Sequence, residues 1–307
     1  MTPRISVVTA TLNRRDLLRR AIESVMAQGL GDVEHIVVDG MSADGTREML
    51  GSYPHLVAIS ERDDGLYEAW NKGIARTTGD LVCILNDDDE IPTGAFARAR
   101  AALREQPDLE LLSGPVELCA RKADGMHRLR IIDDPRILSL REQDIGPGVP
   151  VTNGRYFSRG LLRRVGAFDE RYKLVADRVF LLDVILATPR HVIVDQPLYR
   201  YHIHAQSLTM REDGDARRLA AESWQAARDG FAEAATPTAR AAYARWQAWG
   251  ALYFAGLETR RARYRAATQI VGCAFKSDPL WCLRAVVPVL RHLRERSARR
   301  GRAMVSR

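Results

Sequence analysis

The 307-residue sequence lacks several features that mark other classes of protein. Its four cysteines are too few and too widely spaced for a disulfide framework or a zinc site, which indicates a reducing compartment. Met1–Arg4 contains no apolar signal segment. Near the C-terminus the longest uninterrupted apolar run is Ala285–Leu290, far short of the roughly 20 residues that a spanning helix needs. We therefore expect a cytoplasmic protein.

Excess positive charge is missing from most of the chain. The formal net charge is +7, but the segment from Arg284 to Arg307 holds eight arginines and a single acid, Glu295, so the other residues are balanced. A nucleic-acid-binding protein would be expected to spread basic residues over its binding face, and we therefore expect no nucleic-acid partner. A basic tail suits either an anionic membrane surface or a solvated chain end. The first alternative predicts a peripheral location at the inner face of the cytoplasmic membrane.

Strand and helix patterns alternate through the N-terminal part of the chain. Strands are predicted at the start of residues 4–13 and over Glu34–Asp39, Leu56–Ser60 and Leu81–Leu85. Amphipathic helices lie between them, and Asn13 is predicted to cap the first of these helices, Arg15–Gln28. This order predicts an α/β fold with a doubly wound, mostly parallel sheet flanked by helices.

Three adjacent aspartates, Asp87, Asp88 and Asp89, follow the apolar strand Leu81–Leu85, with Asn86 between the strand and the first of them. In open parallel sheets, ligands bind at the carboxyl ends of the strands. Neighbouring carboxylates repel one another unless a cation neutralises them, and Mg²⁺ and Mn²⁺ favour carboxylate oxygens and bridge to phosphates. The pattern therefore predicts a divalent-metal site, with an acidic surface turn as the alternative.

Four motifs in register resemble a known family. They are TATLNR, VDGMSADGT, E-x-D-x-G-x-x-x-A-x-N-K-G and LNDDD. Together they resemble the nucleotide-sugar-binding half of GT-A glycosyltransferases, and most closely the inverting family 2 that builds bacterial polysaccharides. The resemblance covers about Ile5–Thr209. It implies a GT-A catalytic domain at 1–210, with a nucleotide-sugar-binding half at 1–113 and an acceptor half at 114–210, and then a helical C-terminal extension at 211–307.

The resemblance implies roles for individual residues. Those expected to contact the nucleotide sugar are Thr9, Thr11, Asn13, Arg14, Asp39, Asp63, Lys72 and Asp87. Asp88 would be the metal ligand, while Asn86 stands at the first acidic position of the family's DxD motif. Without the resemblance, Asp39 is explained as a strand-end turn former and Lys72 as a solvated helix lysine. Gly40 stands where many relatives carry an acid that reads uracil, so UDP-, GDP- and dTDP-sugars all remain candidate donors.

Two further sites come from the acceptor half. A helix is predicted to begin around Phe157-Ser158-Arg159. Asp177 precedes an apolar helix and matches the family's catalytic base; the alternatives are that it only caps the helix, or that Asp183 is the base. A YRxH-like segment implies that His202 completes the metal site. Strand alternation puts His202 and His204 on one face, and a histidine with no ligand is the alternative.

The C-terminal extension is predicted to be helical. The expected helices are Ala216–Ala235, Thr238–Ala255, Leu257–Val271 and Leu280–Arg296. The last of them would either lie on a membrane or pack against the catalytic domain.

The resemblance implies a metal-dependent, inverting, hexosyltransferase-type enzyme of surface polysaccharide, lipopolysaccharide or glycolipid synthesis, with a saccharide or lipid-linked acceptor and Mn²⁺ or Mg²⁺ as cofactor. A nucleotidyltransferase is one alternative, but TATLNRR lacks the glycines of a triphosphate loop. A sugar-nucleotide-binding scaffold subunit without activity is the other. Asn86 and Gly40 favour the scaffold, whereas Asp88, Lys72 and Asp177 argue against it.

Overall fold

The structure is a computed structural model that describes residues 2–122, 125–140, 152–204 and 215–277, together with Leu280 and Cys282. These residues belong to two compact units. The described part of the first unit lies within Met1–Leu140 and Pro150–Asp215, and that of the second begins at Ala216.

The first unit is an α/β structure. Its described strands are β1 (Ile5–Thr11), β2 (Val33–Asp39), β3 (Leu56–Ser60), β4 (Leu81–Ile84), β5 (Leu111–Ser113), β6 (Val116–Lys122), β7 (Gly125–Ile132), β8 (Arg155–Ser158), β9 (His191–Ile193) and β10 (Tyr199–Ile203). Its described helices are α1 (Arg15–Met26), α2 (Thr46–Leu50), α3 (Leu66–Ile74), α4 (Ala95–Glu105), α5 (Pro135–Leu138), α6 (Arg159–Val165) and α7 (Ala176–Leu186).

The main sheet has the strand order β3-β2-β1-β4-β8-β5-β9. Neighbouring strands are parallel except at β8, which is antiparallel to both β4 and β5. This arrangement confirms the α/β fold with a mostly parallel sheet. Because β1, β2, β3 and β4 run in one direction, their carboxyl ends lie along one edge, and Thr11, Asp39, Ser60 and the three aspartates come together there.

Strand β8 differs from the sequence prediction, which started a helix at Phe157. Phe157 lies in β8, and α6 begins at Arg159, where the Ser158 hydroxyl accepts a hydrogen bond from the Leu161 N–H at 3.1 Å. The strand is short and carries no clear alternation. Its conformation comes from pairing with both neighbours, which no local pattern reveals.

Helices cover both faces of β1, because successive side chains of a strand point to opposite faces. Val7 belongs to a buried cluster with Ala21 of α1 and Phe96 of α4. Val8 points the other way and contacts α3 at Gly73. The contact with Gly73 fixes the close approach of α3, the helix that carries Lys72, to the sheet.

Replacing Gly73 with alanine should destabilise the first unit. The added Cβ would lie 2.4 Å from Val8 Cγ1 and 3.4 Å from Val38 Cγ2, and both valines are fully buried. Relief requires α3 to move, and overpacking of this kind costs about 1–3 kcal/mol. Urea denaturation measures the change. Gly160→Ala in α6 is the control, since its nearest atom would be 3.8 Å away, and equal stability of Gly73→Ala and wild type would contradict the prediction.

A second sheet of the first unit has the order β10-β6-β7, with β10 parallel to β6 and β6 antiparallel to β7. It is tied to the aspartate turn by two backbone hydrogen bonds. The Glu90 N–H donates to the Arg200 carbonyl at 3.0 Å, and the Arg200 N–H donates to the Glu90 carbonyl at 2.9 Å. This pairing carries the end of β10, and with it two histidines, to the aspartates.

The described part of the second unit is helical, with α8 (Asp215–Glu233), α9 (Pro237–Arg260) and α10 (Tyr264–Ser277). Trp246 of α9 is fully buried, and its indole N–H donates to the Ser223 hydroxyl of α8 at 3.1 Å. The break predicted between Ala255 and Leu257 is wrong: α9 runs through Gly256, a residue that costs a helix only about 1 kcal/mol.

Among the described residues, no helix has both the length and the apolar character needed to cross a membrane. The predicted helix Leu280–Arg296 and the basic tail lie outside the described residues, apart from Leu280 and Cys282, which are exposed. The membrane and packing alternatives for that segment therefore stay predictions.

Candidate active site

The three aspartates after β4 have different surroundings. Asp89 is fully buried: its Oδ2 accepts hydrogen bonds from the Tyr199 hydroxyl at 2.7 Å and the Asn86 amide at 2.9 Å, and its Oδ1 accepts one from the His202 N–H at 2.8 Å. Burial, with repulsion from Asp88, raises the pKa of Asp89 to about 8. Asp89 therefore holds the turn against β10 through Tyr199 and His202, and the Asn86 amide supports the same carboxylate.

Asp87 and Asp88 share a cation. Arg14 Nη1 donates to Asp87 Oδ1 at 3.0 Å and to Asp88 Oδ2 at 2.9 Å, while the Thr11 hydroxyl donates to Asp87 Oδ2 at 2.9 Å. Burial raises the pKa of Asp87 to about 6 against the opposing effect of Arg14. Burial also works against the charge of Arg14, but the two carboxylates still raise its pKa above the ordinary value. The end of β1 thus supplies the charge that keeps two adjacent carboxylates together.

The two histidines of the YRxH-like segment contact different acidic residues. His202, predicted as the metal ligand, is buried with its Nε2 3.1 Å from Glu90 Oε1. His204 is the histidine at the aspartates, with its Nε2 3.1 Å from Asp88 Oδ2. Strand alternation placed both on one face but could not distinguish them. His204 is therefore the histidine nearer the three aspartates, and the role of His202 as a metal ligand stays a prediction.

Asp88 and His204 are the residues that would hold a divalent cation, because they bring a carboxylate oxygen and an imidazole nitrogen, Asp88 Oδ2 and His204 Nε2, to 3.1 Å from each other. Within the described ranges no cluster of three or more His, Cys, Asp or Glu residues could hold a metal. Two protein ligands are nevertheless typical of Mg²⁺-type sites, where phosphates and waters supply the others.

The predicted nucleotide loop after β1 is only partly assembled at this edge. Thr11 reaches Asp87, but the fully buried Thr9 hydroxyl lies 3.0 Å from His35 Nε2 instead. Asn13 does not cap α1, whose first residue is preceded by Arg14 without a side-chain cap. Asn13 instead accepts a hydrogen bond from the Ala43 N–H at 2.8 Å, which ties this loop to the one after β2.

The carboxylate of Asp39, at the end of β2, is already satisfied. Its Oδ1 accepts from the Ser42 N–H at 3.0 Å, its Oδ2 accepts from the Ser60 hydroxyl at 2.7 Å, and the residue is fully buried. Asp63 lies just before α3 and is partly exposed, with its Oδ1 accepting from the Gly65 N–H at 3.0 Å. Gly65 has φ +132°, a conformation that favours glycine.

Lys72 is engaged with acids of its own neighbourhood. Its Nζ lies 2.8 Å from Glu68 Oε1 and 3.3 Å from Glu61 Oε1, and it donates to the Arg62 carbonyl at 2.6 Å. The hydrogen bond with Glu68 raises the pKa of Lys72. Among the described residues its contacts do not include the aspartates, so a role at the diphosphate requires exchange of these partners.

Asp177 lies in the first turn of α7 and is not its cap, because the helix begins at Ala176 after Val175. Its Oδ1 accepts hydrogen bonds from the Tyr67 hydroxyl at 3.2 Å and the Arg178 N–H at 2.9 Å. Burial raises the pKa of Asp177, and the effects of Arg178 and Tyr67 only partly oppose it. The capping explanation therefore fails, and the contact with Tyr67 is one that the sequence did not predict.

Hydrogen bonds and ring contacts through Phe168 join α3 to α7. Asn71 of α3 donates to the Phe168 carbonyl at 2.9 Å and accepts from the Phe168 N–H at 2.8 Å. The Phe168 ring stacks on Phe180 of α7 at 4.3 Å and on Tyr67 at 5.7 Å between ring centroids. These contacts hold Tyr67 and Asp177 together and position the carboxylate.

Comparison with known proteins identifies the architecture. Residues 6–166 match the model of the family described as glycosyl transferase family 2. An uncharacterized glycosyltransferase of Mycobacterium tuberculosis is 34% identical over 190 residues, which cover 60% of this chain and 70% of the relative. The succinoglycan biosynthesis protein ExoO of Rhizobium meliloti is 28% identical over 225 residues, covering 67% of this chain and 63% of that protein.

A solved structure gives the same fold at low identity. The mannosyltransferase PcManGT from Pyrobaculum calidifontis, in complex with GDP-Man and Mn²⁺, has a TM-score of 0.57 and 20% identity, covering 94% of this chain and 81% of that one. This similarity confirms the predicted GT-A fold.

Proposed function

Because the chain belongs to glycosyl transferase family 2 and is a glycosyltransferase, we propose that it moves a sugar from a nucleotide-sugar donor to an acceptor hydroxyl with inversion at the anomeric carbon. One observation carries this proposal: Asp88 meets Arg14 and His204 at the end of β4, where a parallel sheet receives a ligand. The class of reaction is inferred from the relatives. Asp88, Arg14 and His204 are the residues that would help a nucleoside diphosphate to leave.

We assign the donor side to residues at the ends of β1 and β4. Asp88 and His204 would hold Mn²⁺ or Mg²⁺, whose charge stabilises the departing nucleoside diphosphate. Asp87, held by Thr11 and Arg14, would accept hydrogen bonds from the ribose hydroxyls. A solved neighbour in complex with GDP-Man and Mn²⁺ supports this metal and this class of donor.

We assign the general base to Asp177. A carboxylate with a raised pKa, held by Tyr67 and the Arg178 N–H, can take a proton from an acceptor hydroxyl. The hydrogen bonds from Tyr67 and Arg178 both reach Oδ1, and Oδ2 would be the atom that takes the proton. As Asp177 takes the proton, the acceptor oxygen would bond to the anomeric carbon while the bond to the nucleoside diphosphate breaks, and this direct displacement gives inversion.

The acceptor is proposed to be a saccharide or a lipid-linked saccharide of the bacterial surface. Support comes from the relative that acts in succinoglycan biosynthesis and from a 26%-identical mycobacterial relative described as a PGL/p-HBAD biosynthesis glycosyltransferase. A lipid-linked acceptor would place the enzyme at the inner face of the cytoplasmic membrane. The basic tail is the segment that would make this contact.

A thermal-shift panel of UDP-, GDP- and dTDP-sugars tests donor binding. One donor should raise the Tm in the presence of Mn²⁺ and much less in its absence, because Asp88 and His204 need the cation to hold the diphosphate. At ~100 times Kd a ligand stabilises the folded state by about 2.7 kcal/mol, which moves the Tm by several degrees. No shift with any donor would contradict the proposed function.

A further inference from the structure

The second unit contains a cavity of about 810 Å³ in which the proposed function has no part. Helices α8, α9 and α10 all contribute to its walls, and we call it the α8–α10 cavity. Its large apolar lining residues are Trp224 of α8, Phe254 and Leu257 of α9, and Ile270 of α10. Cavities that hold small organic molecules usually measure roughly 300–1,000 Å³ and have mostly apolar walls. The α8–α10 cavity has both properties.

Gly250 in the lining shows that this space is not filled by packing. It lies within α9 and is buried, yet a Cβ built on it would have no neighbouring atom within 4 Å. Gly230 of α8 is the contrasting case, because a Cβ added there would collide with the ring of Tyr243. Gly230 makes room for a side chain of the protein, whereas Gly250 faces open space.

The charged residues of the lining all lie at the turn between α9 and α10. They are Glu258, Arg263 and Arg265. The Arg263 N–H donates to the Glu258 carbonyl at 2.9 Å and Ala262 has φ +57°, so α9 ends in a Schellman motif that fixes this turn. The Arg263 guanidinium lies 3.9 Å from the Glu258 carboxylate. The Arg265 side chain is exposed and forms no ion pair with any residue that the structure describes.

The sequence around this turn is strongly basic. Between Glu258 and Arg265 a single acid, Glu258, stands against four arginines, which are Arg260, Arg261, Arg263 and Arg265. Tyr264 lies among them, lines the cavity and is 64% exposed. Guanidinium groups bind phosphate oxygens well, and tyrosine is enriched where an apolar phase meets water. An apolar cavity beside such a turn suits a molecule with a hydrocarbon chain and an anionic phosphate head.

We propose that the α8–α10 cavity holds one acyl chain of an anionic phospholipid, with the phosphate of the headgroup at Arg263 and Arg265. The C-terminal segment of this chain is a poorer occupant, because residues 284–307 carry eight arginines and one acid and would meet a basic turn. A phospholipid bound in this way attaches the second unit to an anionic membrane surface. The site does not rest on the proposed function, and either can fail without the other.

Calorimetry of the full chain with lysophospholipids, kept below their micelle concentrations, tests the proposal. Myristoyl-lysophosphatidylglycerol should bind, and the lauroyl form should bind about 15-fold less well, because each of the two missing methylenes contributes about fourfold when buried. Myristoyl-lysophosphatidylcholine should also bind less well, since its ammonium group compensates the phosphate charge. Equal affinity for both chain lengths or for both headgroups would overturn the proposal, as would equal binding of glycerol phosphate or no binding at all.

Filling the cavity distinguishes it from the basic tail. Gly250→Phe places a ring in the open space, and it should lower the affinity for myristoyl-lysophosphatidylglycerol at least about tenfold, the value of two buried methylenes. The Tm should not fall, because phenylalanine is a better helix former than glycine. Gly256→Phe is the matched control, since its added Cβ in α9 also has nothing within 4 Å but Gly256 is outside the described lining. Unchanged affinity of Gly250→Phe, or an equal loss in both variants, would overturn the site.

Arg265→Gln tests the headgroup contact at an exposed position where folding is not at risk. It should weaken myristoyl-lysophosphatidylglycerol by about 3–10-fold, between the value of an exposed ion pair and that of a hydrogen bond to a charged group. Myristoyl-lysophosphatidylcholine should change less. Lys276→Gln removes the same charge from the last turn of α10 and should have no effect. Equal losses in the two variants would mean that the headgroup is attracted by net charge alone, which would overturn the assignment to this turn.

Discussion

Replacing Asp177 with asparagine should reduce sugar transfer by about 10²–10⁴-fold, the usual contribution of a positioned general base, while donor affinity stays close to that of wild type. The change keeps the shape of the side chain and an oxygen for the Tyr67 hydroxyl and the Arg178 N–H. Since Asp177 is not the N-cap of α7, the change removes no capping hydrogen bond, and the loss of a first-turn charge costs the helix only about 0.3–1 kcal/mol. The loss should appear in kcat, and calorimetry with the donor should show little change.

The pH dependence of transfer supplies a second readout. Only the ionised form of Asp177 accepts a proton, so kcat/KM should be high above its pKa and fall as the pH drops through it. Burial raises that pKa from the ordinary aspartate value of 3.8, so the acid limb should lie above pH 3.8. The residual activity of Asp177→Asn should lose this limb.

Asp183→Asn is the matched control for the same helix. Asp183 lies in α7 on a different face and is partly buried. If the Asp183 variant loses transfer while Asp177→Asn remains active, the base has been assigned to the wrong carboxylate. Near-normal transfer by both variants would show that neither aspartate is the base.

Much of this site could be predicted from the sequence because it lies at strand ends. An apolar strand followed by Asp87, Asp88 and Asp89 specifies both the sheet edge and the charge, and the parallel order of β1 and β4 brings Thr11 and Arg14 to the same edge. These are local patterns combined with one rule of topology.

The choice between the two histidines could not be predicted, since His202 and His204 share a strand face. Their different partners come from Glu90, which pairs with Arg200 and lies next to His202, whereas His204 contacts Asp88. These are contacts between distant segments of the chain, and strand alternation contains no information about them.

Lys72 and Tyr67, on one helix, also show that contacts between distant segments cannot be predicted from a local motif. Both are in α3, and the motif favoured Lys72 as the functional cation. Lys72 pairs with Glu61 and Glu68, which are close to it in sequence. The contact of Tyr67 with Asp177 instead depends on the hydrogen bonds between Asn71 and Phe168, which are nearly a hundred residues apart. Motif spacing therefore predicts a role for the charged Lys72, but it contains no information about Tyr67, whose position is set by packing.

Replacing Asp88 with asparagine should remove the dependence of donor binding on Mn²⁺. In wild type, the cation is expected to strengthen binding because it joins Asp88 and His204 to the diphosphate. The amide is a much weaker ligand, and loss of even an outer-shell partner typically costs 10–100-fold in metal affinity, so the loss here should be at least about 100-fold. Calorimetry of the nucleoside diphosphate with and without Mn²⁺ gives the ratio.

The two histidines provide the control for this prediction. His204→Gln should lower the ratio of affinities with and without Mn²⁺, because His204 Nε2 lies at Asp88. His202→Gln should leave the ratio near that of wild type even if stability falls, since His202 lies against Glu90. The reverse pattern would return the second ligand to His202.

Arg14 offers an alternative to the metal, because its guanidinium could neutralise the aspartates alone. Its guanidinium already bridges Asp87 and Asp88 at 3.0 and 2.9 Å, so a cation resides at the aspartates without any metal. If wild type binds the diphosphate equally well with Mn²⁺ and with a chelator, Arg14 alone neutralises this edge and the site is not metal-dependent. Arg14→Gln would then abolish diphosphate binding outright. With a metal-dependent site, the same variant should retain the Mn²⁺ effect, since Asp88 and His204 remain.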